Sequence, residues 1–344
     1  MPRSFVRASL LAGSLLFPAC LAAPAAAEPL FAAPFLAFDT APNPVAVAVA
    51  DLDGDGALDV VTMGGYANGV LSALRGNGDG TFGPATDRTI CFDRYGTGRA
   101  MVLHDLDGDG RLDLVAADPE TALVSVLPGN GDGTFGARHA FAVAGHPGDL
   151  AVDDLDGDGH PDLVACTGRA DAVSVLLGDG AGGFAPHADY GTAGSPSSVA
   201  VGDLDGDGHP DLAVTNDVGS VSVLRGNGDG TFAAKEDFAT GAGPRGVAID
   251  DLDGDGHPDL AVAAYDAACV SVLLADGAGS FLPKRDFPAG GGAARVAAAD
   301  FDADGHLDLA ALLQGPSKVA VLLGAGAGPF GAPAAFGPGR WPAA

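Results

Sequence analysis

Six times along the chain, carboxylates recur at a spacing that suits a hard cation. The string DLDGDG begins at Asp51, Asp105, Asp154, Asp203 and Asp251, and a variant, DFDADG, begins at Asp300. Counting from each start, acids fall at positions 1, 3, 5 and 9. These are Asp51, Asp53, Asp55 and Asp59; Asp105, Asp107, Asp109 and Asp113; Asp154, Asp156, Asp158 and Asp162; Asp203, Asp205, Asp207 and Asp211; Asp251, Asp253, Asp255 and Asp259; and Asp300, Asp302, Asp304 and Asp308. A short loop can wrap an ion that takes about six to eight oxygens only if alternate side chains point inward and a glycine allows the sharp turn. Position 7 (Ala57, Arg111, His160, His209, His257 and His306) then offers its backbone carbonyl, and position 9 can close the shell with both oxygens. The histidine rings are expected to face solvent.

Two carboxylates ~4.5 Å apart repel by roughly 3–4 kcal/mol at an effective dielectric of 20 before screening and loop spreading reduce it. A divalent ion would relieve that repulsion, and the pattern predicts about six bound calcium ions. Magnesium, which prefers few carboxylates and retained waters, suits the set less well. Asp and Gly also favour plain turns, but a turn does not ask for the ninth-position acid that all six strings carry. An EF-hand would place Glu at position 12 and run into a helix. Here position 12 is Thr62, Ala116, Ala165, Val214, Val262 and Ala311, all in apolar runs of β type.

The elements that hold these loops are repeats. The starts are spaced by 54, 49, 49, 48 and 49 residues. A second string follows each at a near-fixed offset: GNGDGTF from Gly76, Gly129 and Gly226, GDGAGGF from Gly178, ADGAGSF from Ala275 and GAGAGPF from Gly324. It reads as a hairpin turn. Each unit reads as four strands: VAVAVA before Asp51, LDVV from Leu58, a VSVL-type run (Val124, Val173, Val221, Val270), and the stretch after the second string's Phe, such as 82–92. A period of 40–50 residues with four strands is that of a propeller blade. The expected fold is all-β, a β-propeller of six four-stranded blades, with the cation loops between first and second strands. Segments 30–39 and 329–336 both resemble fourth strands, one more than six blades require; one should complete the last blade as a clasp with the other redundant or loosely packed, and a seventh, incomplete blade is the alternative.

Composition agrees. The 344 residues include 54 Gly and 24 Pro yet are 47 % hydrophobic, as short strands joined by tight turns demand. A net charge of −28 excludes nucleic acid and anionic membranes as non-specific partners. Four acids in each of six loops account for 24 of the 45 acidic residues. Arg3 and Arg7, an apolar stretch broken by Pro18, and Ala25–Ala27 before Glu28 read as a signal peptide over 1–27. The remainder, 28–344, is then one exported domain, expected to be extracellular, on the cell surface or periplasmic, with no transmembrane segment and monomeric. Cys91, Cys166 and Cys269 show neither zinc nor disulfide spacing.

The chain resembles the FG-GAP and VCBS repeat family, the calcium-bearing propeller repeats of integrin α-subunit heads and of many bacterial secreted proteins. FGAP occurs literally at Phe330–Pro333, Phe82 and Phe135 are each followed by Gly, and all six loops match D-x-D-x-D-G-x-x-D. The resemblance implies calcium at the aspartates named above.

In an up-and-down blade the first-to-second and third-to-fourth loops share one end, so both strings lie together and unit-to-unit variation gathers at the other end. There the candidates for contacting a ligand are Tyr66, Arg94, Arg99, His146, Arg245, Tyr265 and Arg295. Arginines in so acidic a chain suit an acidic glycan or a peptide carboxylate. No G-x-S-x-G or H-E-x-x-H occurs. The expected role is a binding or adhesion module for a carbohydrate or protein and not an enzyme; a calcium-dependent polysaccharide lyase or hydrolase is the alternative.

Overall fold

The computed structural model describes residues 38–336 except 43, 65–68, 91–99, 119, 278, 316–317, 327 and 329. It is a six-bladed β-propeller, each blade an antiparallel sheet of four consecutive strands. The blades span residues 44–89, 101–142, 147–191, 196–239, 244–288 and 292–336. Among the described residues there is no helix, and none long and apolar enough to cross a membrane.

In blade 1 the strands are Pro44–Ala50, Asp59–Gly64, Val70–Leu74 and Thr86–Thr89. The second and third strands are buried on both faces, which is why they read as unbroken apolar runs. In blades 2 to 5 every residue of the second strand is buried. The fourth strand is shorter than the sequence suggests, and the Phe of the second string pairs instead in an isolated bridge, Gly76↔Phe82 in blade 1 and its counterparts elsewhere.

Blades meet through side chains. The second-string Phe of one blade receives the fourth-strand aromatic of the blade before it, edge to face: Phe141 on Phe184, Tyr190 on Phe232, Phe238 on Phe281 and Phe287 on Phe330, with centroids 5.1–5.4 Å apart. In blade 1 this aromatic is replaced by Arg88, whose guanidinium bonds the Phe135 carbonyl. The chain leaving one blade also donates a backbone N–H to a buried serine of the next, as Ala144 does to Ser174 (3.0 Å) and Gly241 to Ser271 (2.8 Å).

Of the two terminal segments, the C-terminal one completes the last blade and the other pairs in no sheet, as expected. Ala334–Phe336 completes blade 6 as its own fourth strand. Phe38–Ala41 belongs to no sheet and lies against blade 1; residues 1–37, including the expected signal peptide, fall outside the described residues. Cys166 and Cys269 are free and buried, and burial raises both thiols above their ordinary value.

Candidate metal centres and the opposite face

Each DxDxDG string forms a loop whose backbone N–H groups turn onto its own carboxylates. In the first, Asp51 accepts from Gly54 (2.8 Å) and Gly56 (3.0 Å), Asp53 from Asp55 (3.3 Å), and Asp55 from Ala57 (2.7 Å). The glycine at position 4 has a left-handed backbone, φ +75° at Gly54, and in the sixth loop Ala303 adopts the same conformation at φ +61°. The turn therefore imposes its shape even where the residue type opposes it.

The loops bring carboxylates together. One oxygen each from Asp51, Asp53 and Asp59 lies within 4.8 Å of the others, and so do those of the second, third and fourth loops at positions 1, 3 and 9. In the fifth loop the converging set is Asp251, Asp253 and Asp255. The donors are hard oxygens without thiolate or imidazole, so the clusters can hold a metal ion and suit a hard cation. His160, His209, His257 and His306 are exposed. Their rings cover a glycine of the second string: a Cβ built on Gly180 would meet the His160 ring at 2.4 Å.

The ninth-position acid does more than its spacing suggests. Asp162 is buried, and its two oxygens accept the backbone N–H of Leu155 (2.9 Å) and of Gly178 (2.7 Å), the first residue of the second string. The same pair of bonds recurs at Asp59, Asp113, Asp211, Asp259 and Asp308. This side chain ties the two strings together, and their near-fixed offset was the signal for it. Burial pushes Asp162 and Asp259 up to about 6, neighbouring loop aspartates push the same way, and the two backbone donors partly offset both. Asp113 and Asp211 are raised for the same reasons.

Two arginines missed in the sequence lie beside the clusters. Arg75 approaches Asp53 (3.6 Å), and Arg225 approaches Asp211 (3.3 Å) and Asp205 (3.8 Å) while bonding the Gly279 carbonyl of the next blade. Both immediately precede a GNGDG string, the motif that could have revealed them. The second string itself is a turn: Asp79 accepts from the Thr81 hydroxyl and N–H, which hold its carboxyl below the usual range.

At the other end, the pairing of first and second strands slips at the start of the first strand in blades 1, 3, 4, 5 and 6, and in blade 5 the slip falls between Pro244 and Gly246, at Arg245. The Arg245 guanidinium lies 3.7 Å above the Tyr265 ring and reaches the Gln314 amide oxygen at 3.4 Å. Arg295 bonds the Arg245 carbonyl and approaches Asp149 of blade 3 at 3.7 Å. Asp149 in turn accepts from Ser198 Oγ at 2.5 Å and from the Val199 N–H at 3.3 Å. Arg245 and Tyr265 thus form one constellation with Gln314, whereas Arg295 is held as a strut between blades. His146 is half-buried and accepts the Gly168 N–H through its carbonyl. Tyr66, Arg94 and Arg99 lie outside the described residues.

Known structures share the architecture. A lectin from Agrocybe aegerita, described as recognising non-reducing terminal N-acetylglucosamine, is 22 % identical with a TM-score of 0.61, over 86 % of this chain and 80 % of its own. The periplasmic gluconolactonase of Pseudomonas aeruginosa is 18 % identical with a TM-score of 0.61, over 82 % of each chain. The virginiamycin B lyase of Staphylococcus aureus is 15 % identical with a TM-score of 0.53, over 82 % and 81 %. At such identity these likenesses speak for the fold alone, and two of the three are named as enzymes. None of the curated protein sequences matches this chain. The FG-GAP-like repeat matches five overlapping stretches, 51–116, 105–165, 154–214, 203–262 and 251–311. With every stretch opening on a carboxylate loop and running into that of the next blade, the chain belongs to the FG-GAP-like repeat family.

Proposed function

We propose that this protein is an exported, calcium-loaded propeller that binds a glycan or protein ligand through the end of the ring away from its carboxylate loops. The observation that carries the reading is the constellation of Arg245, Tyr265 and Gln314, an amphipathic ring on one loop beside a guanidinium and an amide at the ends of two strands. An aromatic face stacks on apolar ligand surface while the guanidinium recognises a carboxylate. Calcium would be held by the aspartates of positions 1, 3, 5 and 9, where it would neutralise the converging charge and lock the loops. The lectin among the similar structures supports the class of activity only.

A glycan array probed in calcium and in EGTA tests this. The expected result is binding to carboxylate-bearing glycans that is lost on chelation and in both Arg245→Ala and Tyr265→Ala. Undiminished binding by both variants would move the ligand elsewhere. Release of cleaved product would establish the lyase or hydrolase alternative.

A further inference from the structure

The fourth carboxylate loop differs from its neighbours in having a cation built into the fold beside it. One oxygen each of Asp203, Asp205 and Asp211 lies within 4.8 Å of the others. Two of these carboxylates face a single guanidinium: Arg225 Nη1 stands 3.3 Å from Asp211 and 3.8 Å from Asp205. Water screens the pair with Asp211 poorly, because the Arg225 side chain is 18 % exposed and that of Asp211 only 1 %. Arg225 immediately precedes the second string of blade 4, and Leu177 and Leu274 hold the same position in blades 3 and 5. Those leucines reach the second string of the following blade, where a Cβ built on Gly230 or Gly328 would meet them at 2.6 and 2.7 Å. They bring no charge to the third and fifth loops.

The same guanidinium spans a blade junction. Its Nη2 bonds the Gly279 carbonyl in the second string of blade 5. Asp205 lies against that glycine, where an added Cβ would meet the Asp205 Cβ at 3.0 Å. Arg225 therefore links a carboxylate loop to the blade that follows it. Arginines beside two other loops are placed to less effect. Arg75, at the corresponding position in blade 1, approaches Asp53 at 3.6 Å with its side chain 52 % exposed, and Arg111 pairs with Asp109 in the second loop with its side chain 49 % exposed. Solvent weakens both pairs.

We propose that Arg225 is a resident counter-cation of the fourth loop: it makes that loop bind calcium more weakly than the third and fifth, and it holds the loop to blade 5 when no ion is bound. The inference rests on the reading of the loops as calcium sites. An ion in this loop has to share Asp205 and Asp211 with the guanidinium and is repelled by its charge. Without the ion, the guanidinium relieves the mutual repulsion of the same carboxylates, and its bond to Gly279 keeps the loop in register with the next blade. Calcium therefore fills three consecutive loops unequally, the fourth after the third and fifth, and the junction of blades 4 and 5 depends on the metal less than its neighbours do.

Calorimetric titration of the full chain with calcium, beside Asp203→Asn and Arg225→Gln, tests the first role. Asp203→Asn disables the fourth loop yet spares both carboxylates that Arg225 meets, so the ion it removes identifies that loop's share of the isotherm. In the parent that ion should belong to a weaker class. Arg225→Gln keeps a donor for the Gly279 carbonyl but drops the charge, and it should tighten this ion by about tenfold; Arg225→Leu, which matches blades 3 and 5, should do the same. An unchanged isotherm in both Arg225 variants, or loss of one of the tightest ions in Asp203→Asn, overturns the proposal and leaves the calcium reading intact. Absence of calcium uptake by parent and variants alike removes that reading and the proposal with it. Thermal melts test the second role: Arg225→Gln should lose about 3 °C in EGTA and nothing in saturating calcium. An equal loss in both media would make Arg225 an ordinary junction contact and overturn its part as a counter-cation.

Discussion

The two ends of this propeller obey different rules. At the carboxylate end, the same bonds recur blade after blade: position 1 to the loop glycines, position 9 to both strings. At the opposite end the side chains differ from blade to blade, and the contacts that matter are particular: Arg245 with Tyr265 inside blade 5, and Arg245 with Gln314 or Arg295 with Asp149 between blades. Repetition marks what the fold needs and variation marks what a ligand can use. The first end should therefore govern stability and the second should be dispensable for it.

Chelation tests the contrast most severely. Each site saturated at about a hundred times its Kd adds about 2.7 kcal/mol to the native state, so EGTA should lower the Tm by about 10 °C or more; an unchanged midpoint in calorimetry would remove calcium from the account. Next comes Asp162→Ala, which strips two buried backbone N–H groups of their acceptor. It should cost about 3 kcal/mol in urea unfolding with calcium absent, and a loss that appeared only with calcium present would make Asp162 a ligand without a structural role.

The response to pH should change sign with the metal. In calcium-free protein the carboxyls of Asp162 and Asp259 keep their protons up to about pH 6 in the fold, against the ordinary 3.8 when unfolded. Their contribution to stability is then complete below 3.8 and lost as pH rises through 6, so the Tm should climb as pH falls from 7 toward 5. With calcium bound it should fall over the same range, because protons compete for the oxygens. Equal slopes in a fluorimetric melt would contradict this. A smaller effect is expected from Ala303→Gly, which relieves a left-handed alanine and should add about 1 kcal/mol. Smallest of all, Arg245→Ala and Tyr265→Ala should move stability by no more than about 1 kcal/mol, the worth of an exposed cation–π pair, while abolishing ligand binding; a large stability loss there would erase the distinction between the two ends.

Much of the carboxylate end was legible in the sequence because its chemistry is local. Asp51 bonds Gly54 and Gly56, three and five residues away, so spacing alone encodes the loop. The tie from Asp59 to Gly76 spans seventeen residues and was visible only as a constant offset. The opposite end was less legible. Arg245 and Gln314 stand 69 residues apart in sequence, and only the packing of blade 6 on blade 5 brings them together. Phe38–Ala41 reads as a strand because it shares the fourth-strand pattern, but whether a strand has a sheet depends on what lies beside it.

The edge-to-face pairing of aromatics also bears on how the chain acquires its shape. In blades 3 to 6 the second-string Phe rests on an aromatic of the unit made before it, and for blade 2 Arg88 stands in for that aromatic, so a blade leaving the ribosome finds its docking surface already in place. Phe238 and Phe281 are 43 positions apart, a short loop to close for an all-β protein. Assembly can proceed vectorially, one blade at a time from the N-terminal side, with Phe82 receiving the first ring and each later Phe registering its blade against the last.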